Sequence, residues 1–292
     1  MARIIGLTLG VAGAFAPTYE TAVSTLAVPG LHRGICVGTH ADGVCTDLLP
    51  RSVLAVAPAP DDGGGAARFP LLSFSHGDFG GGVATSAYLP LLAEIASFGV
   101  VVLAHRSCNP TCGDAQYEDQ LRVLDFAAAQ NASGAARAAP ALARVDFSLP
   151  FAVAGHSTGG RATLQSAAVA RAHRVGAACG VHPDPEGAAA NASAPTLVLT
   201  GSKDTIEPAG SARADFDLLP SAVPRAFADL ENATHMSPVD GGEAPYARFV
   251  AAWVRAWVAG DADARAVIYG DASDALCGGD VPTVDCVVKP AR

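Results

Sequence analysis

The sequence predicts an α/β fold, a mostly parallel central sheet with helices on both faces. Three observations carry this. Short apolar, β-rich runs recur along the chain, amphipathic helical stretches sit between them, and the later runs are almost continuously apolar. A continuous apolar run is what a strand covered on both faces needs, whereas a half-exposed strand alternates.

The elements follow in order. Residues 53–57 (Val-Leu-Ala-Val-Ala) read as the first strand, and Asp61-Asp62-Gly-Gly-Gly65 behind them as a hairpin tip or loop. Residues 70–75 form the next strand, running into a glycine-rich loop. The stretch 88–98 carries apolar residues at three- and four-residue spacing and predicts a helix, followed by a strand at 100–104. The same helical spacing returns over 117–129. A strand at 151–154 leads directly into a helix over 158–172. Strands at 177–181, 196–200 and 226–230 follow, and 246–258, with Trp253 and Trp257, closes the pattern as an amphipathic helix. Sheets of this kind bind ligands beyond the carboxyl ends of their strands.

Composition narrows the function classes. With 292 residues, 50% hydrophobic and 16% charged, the chain can bury a large core and is neither disordered nor a coiled coil. A net charge of −9 without any Lys/Arg-rich run excludes a nucleic-acid partner and disfavours an anionic membrane surface. Arg3 precedes an apolar run over 4–16 that ends in Ala14-Phe15-Ala16, a small-x-small pattern. Residues 1–16 therefore read as a secretory signal peptide, and 17–292 as a single α/β domain. The run is too short for stable membrane insertion, and the mature protein is expected to be a secreted monomer. Seven cysteines fit that compartment: Cys36 with Cys45, Cys108 with Cys112 and Cys277 with Cys286 are sequence-local pairs, leaving Cys179 as a buried free thiol. Sequons begin at Asn131, Asn191 and Asn232, the last close to His235, where a glycan would crowd the site described next.

The sharpest signal is Phe151-Ala-Val-Ala154 running into Gly155-His-Ser157-Thr-Gly159-Gly160 and then a helix. This is the Gly-x-Ser-x-Gly nucleophile elbow in its strand–turn–helix setting, which specifies the α/β-hydrolase fold. A serine hydroxyl is a weak nucleophile at neutral pH and needs a base, and partners in this fold follow in the order Ser, Asp/Glu, His. Asp204 lies just after the strand at 196–200, and His235 just after the strand at 226–230. Glu207 is the reserve for the acid. Asp184, Glu186, His105 and His173 are weaker rivals by position, and His156, beside the nucleophile, is expected to point sideways and pack. For the tetrahedral oxyanion, one donor is the backbone N–H of Thr158. The other is expected from the loop His76-Gly77-Asp78-Phe79-Gly80-Gly81-Gly82, through Asp78 or Phe79.

Phe74-Ser-His-Gly77 with its glycines, residues 92–102, the elbow, Pro195-Thr-Leu-Val-Leu and Asp204-Thr-Ile-Glu-Pro together resemble the cutinase-like polyester hydrolases, including PET-degrading enzymes. Residues 22–29 are in matching register, and the Cys277/Cys286 pair looks like that family's terminal disulfide. The resemblance implies ester hydrolysis through an acyl-enzyme, with Ser157, Asp204 and His235 as triad, Thr158 with Phe79 or Asp78 as oxyanion pair, an ester as the partner and no metal or organic cofactor. Two departures stand out. Thr158 replaces the family's methionine, and the loop 182–186 (His-Pro-Asp-Pro-Glu) lacks the family's cleft tryptophan, so His182, with Phe79, is the candidate substrate contact. Chlorophyllases resemble the same loop and elbow, and the stretch 104–107 (Ala-His-Arg-Ser) is faintly similar to platelet-activating-factor acetylhydrolases. An amidase, and a catalytically silent hydrolase-fold binding protein, are the rival readings.

Overall fold

The computed structural model describes residues 3–4, 15–31, 35–37, 44–46, 51–59, 67–78, 84–107, 115–239 and 245–290. Their strands are β1 (Arg3–Ile4), β2 (Thr21–Val28), β3 (Ile35–Val37), β4 (Val44–Thr46), β5 (Arg51–Pro58), β6 (Leu71–Ser75), β7 (Val101–His105), β8 (Phe151–His156), β9 (Val175–Val181), β10 (Thr196–Gly201), β11 (Arg225–Leu230) and β12 (Thr283–Lys289). The helices are α1 (Leu89–Ser97), α2 (Ala115–Ala132), α3 (Thr158–Ala168), α4 (Ala209–Asp217), α5 (Tyr246–Val258) and α6 (Ala262–Tyr269).

Ten strands form one sheet in the order β1-β2-β5-β7-β6-β8-β9-β10-β11-β12. The run from β7 to β11 is parallel. The outer pairs are antiparallel: β1 with β2, β2 with β5, and β5 with β7 on one side, β11 with β12 on the other. This is the α/β-hydrolase architecture, with a mostly parallel centre.

Alternation along each central strand divides the interior into two halves. Leu72, Phe74, Val102, Ala154 and Leu199 face α1 and α5, packing with Leu92, Ile95, Phe249 and Trp253. Leu71, Leu103, Val153, Val198 and Phe227 face α2, α3 and α4, packing with Leu121, Leu124, Leu164 and Phe216. All five residues of β6 and of β7 are buried, so neither strand has a polar side to show. Burying each large apolar side chain is worth roughly 1.5–3 kcal/mol, and the two faces together hold the carboxyl ends of β6, β8, β9, β10 and β11 in a row.

Differences from expectation lie mostly at the edges. The helix after the elbow stops at Ala168, and a 3-10 turn over Ala170–His173 leads to Arg174 in the left-handed region (φ 56°). Edge strand β12, with its mixed exposure, and the short helices α4 and α6 lack a strong period in sequence. Cys277 and Cys286 form a disulfide, and Cys179 is free and buried in β9. Cys36 and Cys45 are register partners in the β3–β4 hairpin, though their side chains lie outside the described residues. So do Cys108 and Cys112, the 61–65 patch and most of residues 1–16. No helix among the described residues is long and apolar enough to cross a membrane.

Candidate active site

Ser157 sits between β8 and α3 with φ 58° and ψ −123°. Holding a side chain in so sparsely populated a conformation costs on the order of 1–3 kcal/mol, and the surroundings must enforce it. They do so by close approach. A Cβ on Gly155 would collide with the carbonyl oxygen of Gly159, and one on Gly159 with that of Ser75. The Ser157 amide donates to the Val181 carbonyl (3.0 Å), and its own carbonyl accepts from Arg161 (3.0 Å) and Asp184 (3.1 Å). The turn is thus tied to β9 and to α3. Thr158 opens α3, so its N–H is among the first-turn amides without an intrahelical acceptor, at the positive end of the helix dipole.

His235 arrives from the loop after β11, its Nε2 3.0 Å from the Ser157 hydroxyl. Its Nδ1 lies 2.8 Å from Asp204 Oδ2, on the loop after β10. The two loops are joined where the Lys203 amide donates to the Ala233 carbonyl (3.0 Å). Asp204 Oδ1 accepts the backbone N–H groups of Ile206 (2.9 Å) and Glu207 (2.8 Å). The structure therefore brings Ser157, His235 and Asp204 together, all three at most 6% exposed.

Two more histidines belong to this cluster. His156 is buried, as its sideways orientation predicted. The Gly77 N–H donates to the Tyr88 hydroxyl (2.9 Å), so that hydroxyl donates onward to His156 Nδ1 (2.8 Å). His156 Nε2–H then donates to the backbone carbonyl of His235 (2.8 Å). One chain of bonds thus connects the loop after β6 to the loop bearing His235. Burial, reinforced by the neighbouring imidazoles His182 and His235, holds His156 neutral.

His182 corrects an expectation. Proposed as a cleft residue, it is fully buried behind the site, because its backbone turns left-handed (φ 44°) while its amide still bonds the Leu199 carbonyl (2.7 Å). Its Nδ1 lies 2.6 Å from Asp204 Oδ2, and its Nε2 2.5 Å from the Tyr246 hydroxyl on α5. Burial lowers its pKa, more than the Asp204 hydrogen bond raises it. Burial alone would favour a neutral Asp204, but the hydrogen bonds from His182, His235 and the Glu207 amide prevail and hold the carboxyl well below the usual carboxylate range. The sequence signal for His182, a lone histidine at a strand end, did not separate these roles.

Glu207 gives Asp204 its amide, while burial, then the Asp184 carboxylate, push the Glu207 side chain up to about 7. Asp184 and Glu186 pair with Arg161, the former at 3.0 Å. His173 bonds Asp125 at the surface, and buried His105 lies 3.5 Å from the Ser75 hydroxyl. Asp78 ends the described stretch at the loop after β6, and Phe79 lies outside the described residues. His182, Asp204 and His235 carry metal-ligand atoms near one another. Yet each imidazole is at hydrogen-bond distance from the same carboxylate oxygen, 2.6 and 2.8 Å, whereas donors around a tetrahedral zinc stand about 3.3 Å apart.

Residues 80–280 match the family model described as PET hydrolase-like. A bis(hydroxyethyl) terephthalate hydrolase of Streptomyces coelicolor is 29% identical over 209 residues, covering 68% of this chain and 63% of that protein. Cutinase 1 of Thermobifida cellulosilytica and a cutinase of Thermobifida fusca are each 28% identical over 207 residues, covering 68% of this chain and 75% and 65% of their own lengths. The match thus spans less than two thirds of the Streptomyces protein and of the Thermobifida fusca one. The family match takes in the elbow and both partner loops across well over half of the residues, and the chain belongs to the PET hydrolase-like family.

Proposed function

We propose that this protein is a serine carboxylic ester hydrolase working through an acyl-enzyme, with Ser157 as nucleophile, His235 as general base and Asp204 as the group that orients it. The observation that carries the reading is the continuous bond path from the Ser157 hydroxyl through both His235 nitrogens to Asp204, at 3.0 and 2.8 Å. In the first step His235 Nε2 takes the hydroxyl proton as Ser157 Oγ attacks the ester carbonyl. The tetrahedral oxyanion forms against the Thr158 N–H and a second amide from Asp78 or Phe79. His235 returns the proton to the departing alcohol, and water then resolves the acyl-enzyme by the same route. Asp204 remains ionised and steadies the imidazolium.

The substrate reading is an ester of the cutinase and polyester class, supported by the relatives named above. Asp184, Arg161 and Glu186 form a charged group on the segment beside Ser157. The loop 182–186 carries no aromatic ring, so a flat aromatic polymer would find no stacking partner there, which favours smaller esters. The chain is further proposed to act as a secreted monomer, its residues 1–16 serving as signal peptide, a reading the Cys277–Cys286 disulfide supports.

Ser157→Ala is expected to lower p-nitrophenyl butyrate hydrolysis by more than about 10⁴-fold with the fold intact, and to abolish labelling by a fluorophosphonate probe. Wild-type turnover in that variant would overturn the assignment. A wild-type protein that neither turns over ester nor takes the probe would make it a binding protein. Rates on p-nitrophenyl esters of rising chain length, chlorophyll and polyester film identify the substrate.

A further inference from the structure

Asp204 accepts hydrogen bonds from two imidazoles, of which the reaction uses one. Because the carboxylate is ionised, both Nδ1 atoms facing Oδ2 carry hydrogens. The Nε2 of neutral His182 is then an acceptor, and the phenol of Tyr246, kept protonated chiefly by burial, donates to it. Tyr246 thereby locks the His182 tautomer that can donate to Asp204; the other would set a lone pair against the carboxylate. The rings lie close, 5.7 Å between the His182 and His235 centroids and 5.4 Å between those of His182 and Tyr246.

We propose that His182, held by Tyr246, is a positioning residue that sets the pH range over which His235 acts as base. The inference rests on the proposed roles of Ser157, His235 and Asp204. Negative charge on Oδ2 stabilises the His235 imidazolium, and a second N–H on the same oxygen draws part of that charge away. His182 therefore makes His235 easier to deprotonate and also fixes the rotation of the carboxylate. The other titratable groups facing this pair are His156 from the elbow, Glu207 from the loop after β10, and Asp229, which acts on Tyr246 from β11. None of these three shares Oδ2.

The test is an NMR titration of the His235 ring, beside the pH profile of kcat/KM on p-nitrophenyl butyrate, for wild type, His182→Ala, His182→Asn and Tyr246→Phe. His182→Ala is expected to move the His235 titration and the acid limb to higher pH by about half a unit or more, lowering acid-limb kcat/KM about threefold or more. Tyr246→Phe should move both in the same direction by less. His182→Asn, which keeps an N–H near the Nδ1 position, should stay close to wild type. A purely structural role would lower rates evenly across pH. Unmoved titrations in folded His182→Ala and Tyr246→Phe would overturn the inference, and Tyr246→Phe decides if His182→Ala fails to fold. The NMR arm needs no turnover: a shifted titration in a protein without esterase activity refutes the proposed function alone, and an active enzyme with unmoved titrations refutes this inference alone.

Discussion

Four donors converge on the Asp204 carboxylate: two imidazoles at Oδ2 and two backbone amides at Oδ1. An ion this buried persists only when its lone pairs are filled, and each of these bonds keeps Asp204 an acceptor rather than an acid. Glu207, three residues on, shows the opposite balance. Burial and the Asp184 carboxylate raise its pKa to about 7, above its ordinary 4.5. A carboxyl whose folded pKa exceeds its unfolded one costs stability once the pH passes the unfolded value, and the cost is complete above the folded value. Glu207→Gln is therefore expected to raise the Tm at pH 8 and to leave it nearly unchanged at pH 4. Calorimetry at the two pH values checks this, and equal effects at both would mean that Glu207 titrates normally.

The elements bearing the site differ in what fixes them. β8 and α3 are joined by a turn that excludes side chains at Gly155 and Gly159, so the position of Ser157 is marked by glycines two residues to either side. The loop carrying His235 is set by its neighbours instead. It leaves β11 next to β12, where the Glu231 amide donates to the Pro282 carbonyl (2.8 Å) and β12 lies as the outermost strand. The Cys277–Cys286 bridge clips that strand across a separation of nine residues. Closing so short a loop in the unfolded chain removes entropy worth roughly 2.5–3 kcal/mol. Replacing both cysteines by serine should lower the Tm by roughly 4–5 °C while ester hydrolysis at 25 °C persists. An unchanged melting curve would show that the bridge does not restrict the unfolded chain enough to stabilise the fold.

At the scale of the molecule, a sheet buried on both faces leaves its strand ends as the place where polar side chains gather, and the whole bond network from Tyr88 to Tyr246 lies there. The N-terminus offers a test at this scale. Phe15 stacks on Phe98, with centroids 5.0 Å apart, and the Arg255 guanidinium lies over its ring. Processing after Ala16 would remove that contact together with β1. The intact mass of protein recovered from the medium is expected to be that of a chain starting at Pro17, whereas a mass retaining Phe15 would refute residues 1–16 as a cleaved signal.

Much of this was legible along the chain because it is encoded locally. Apolar runs without alternation marked the central strands, and a turn that tolerates only glycine around one serine marked the elbow. The spacing of Asp204 and His235 behind two strands followed from the order of elements. The role of His182 was not legible. Its partners stand 22 and 64 residues away, and a left-handed backbone at one position sent its ring to the acid instead of to the cleft. Edge strand β12 was hidden for a related reason, since its side chains are set by pairing with β11 rather than by a pattern of their own. Periodicity records which faces are buried. Which buried polar atoms meet depends on side chains brought together by packing between distant segments, and that follows from the folded coordinates.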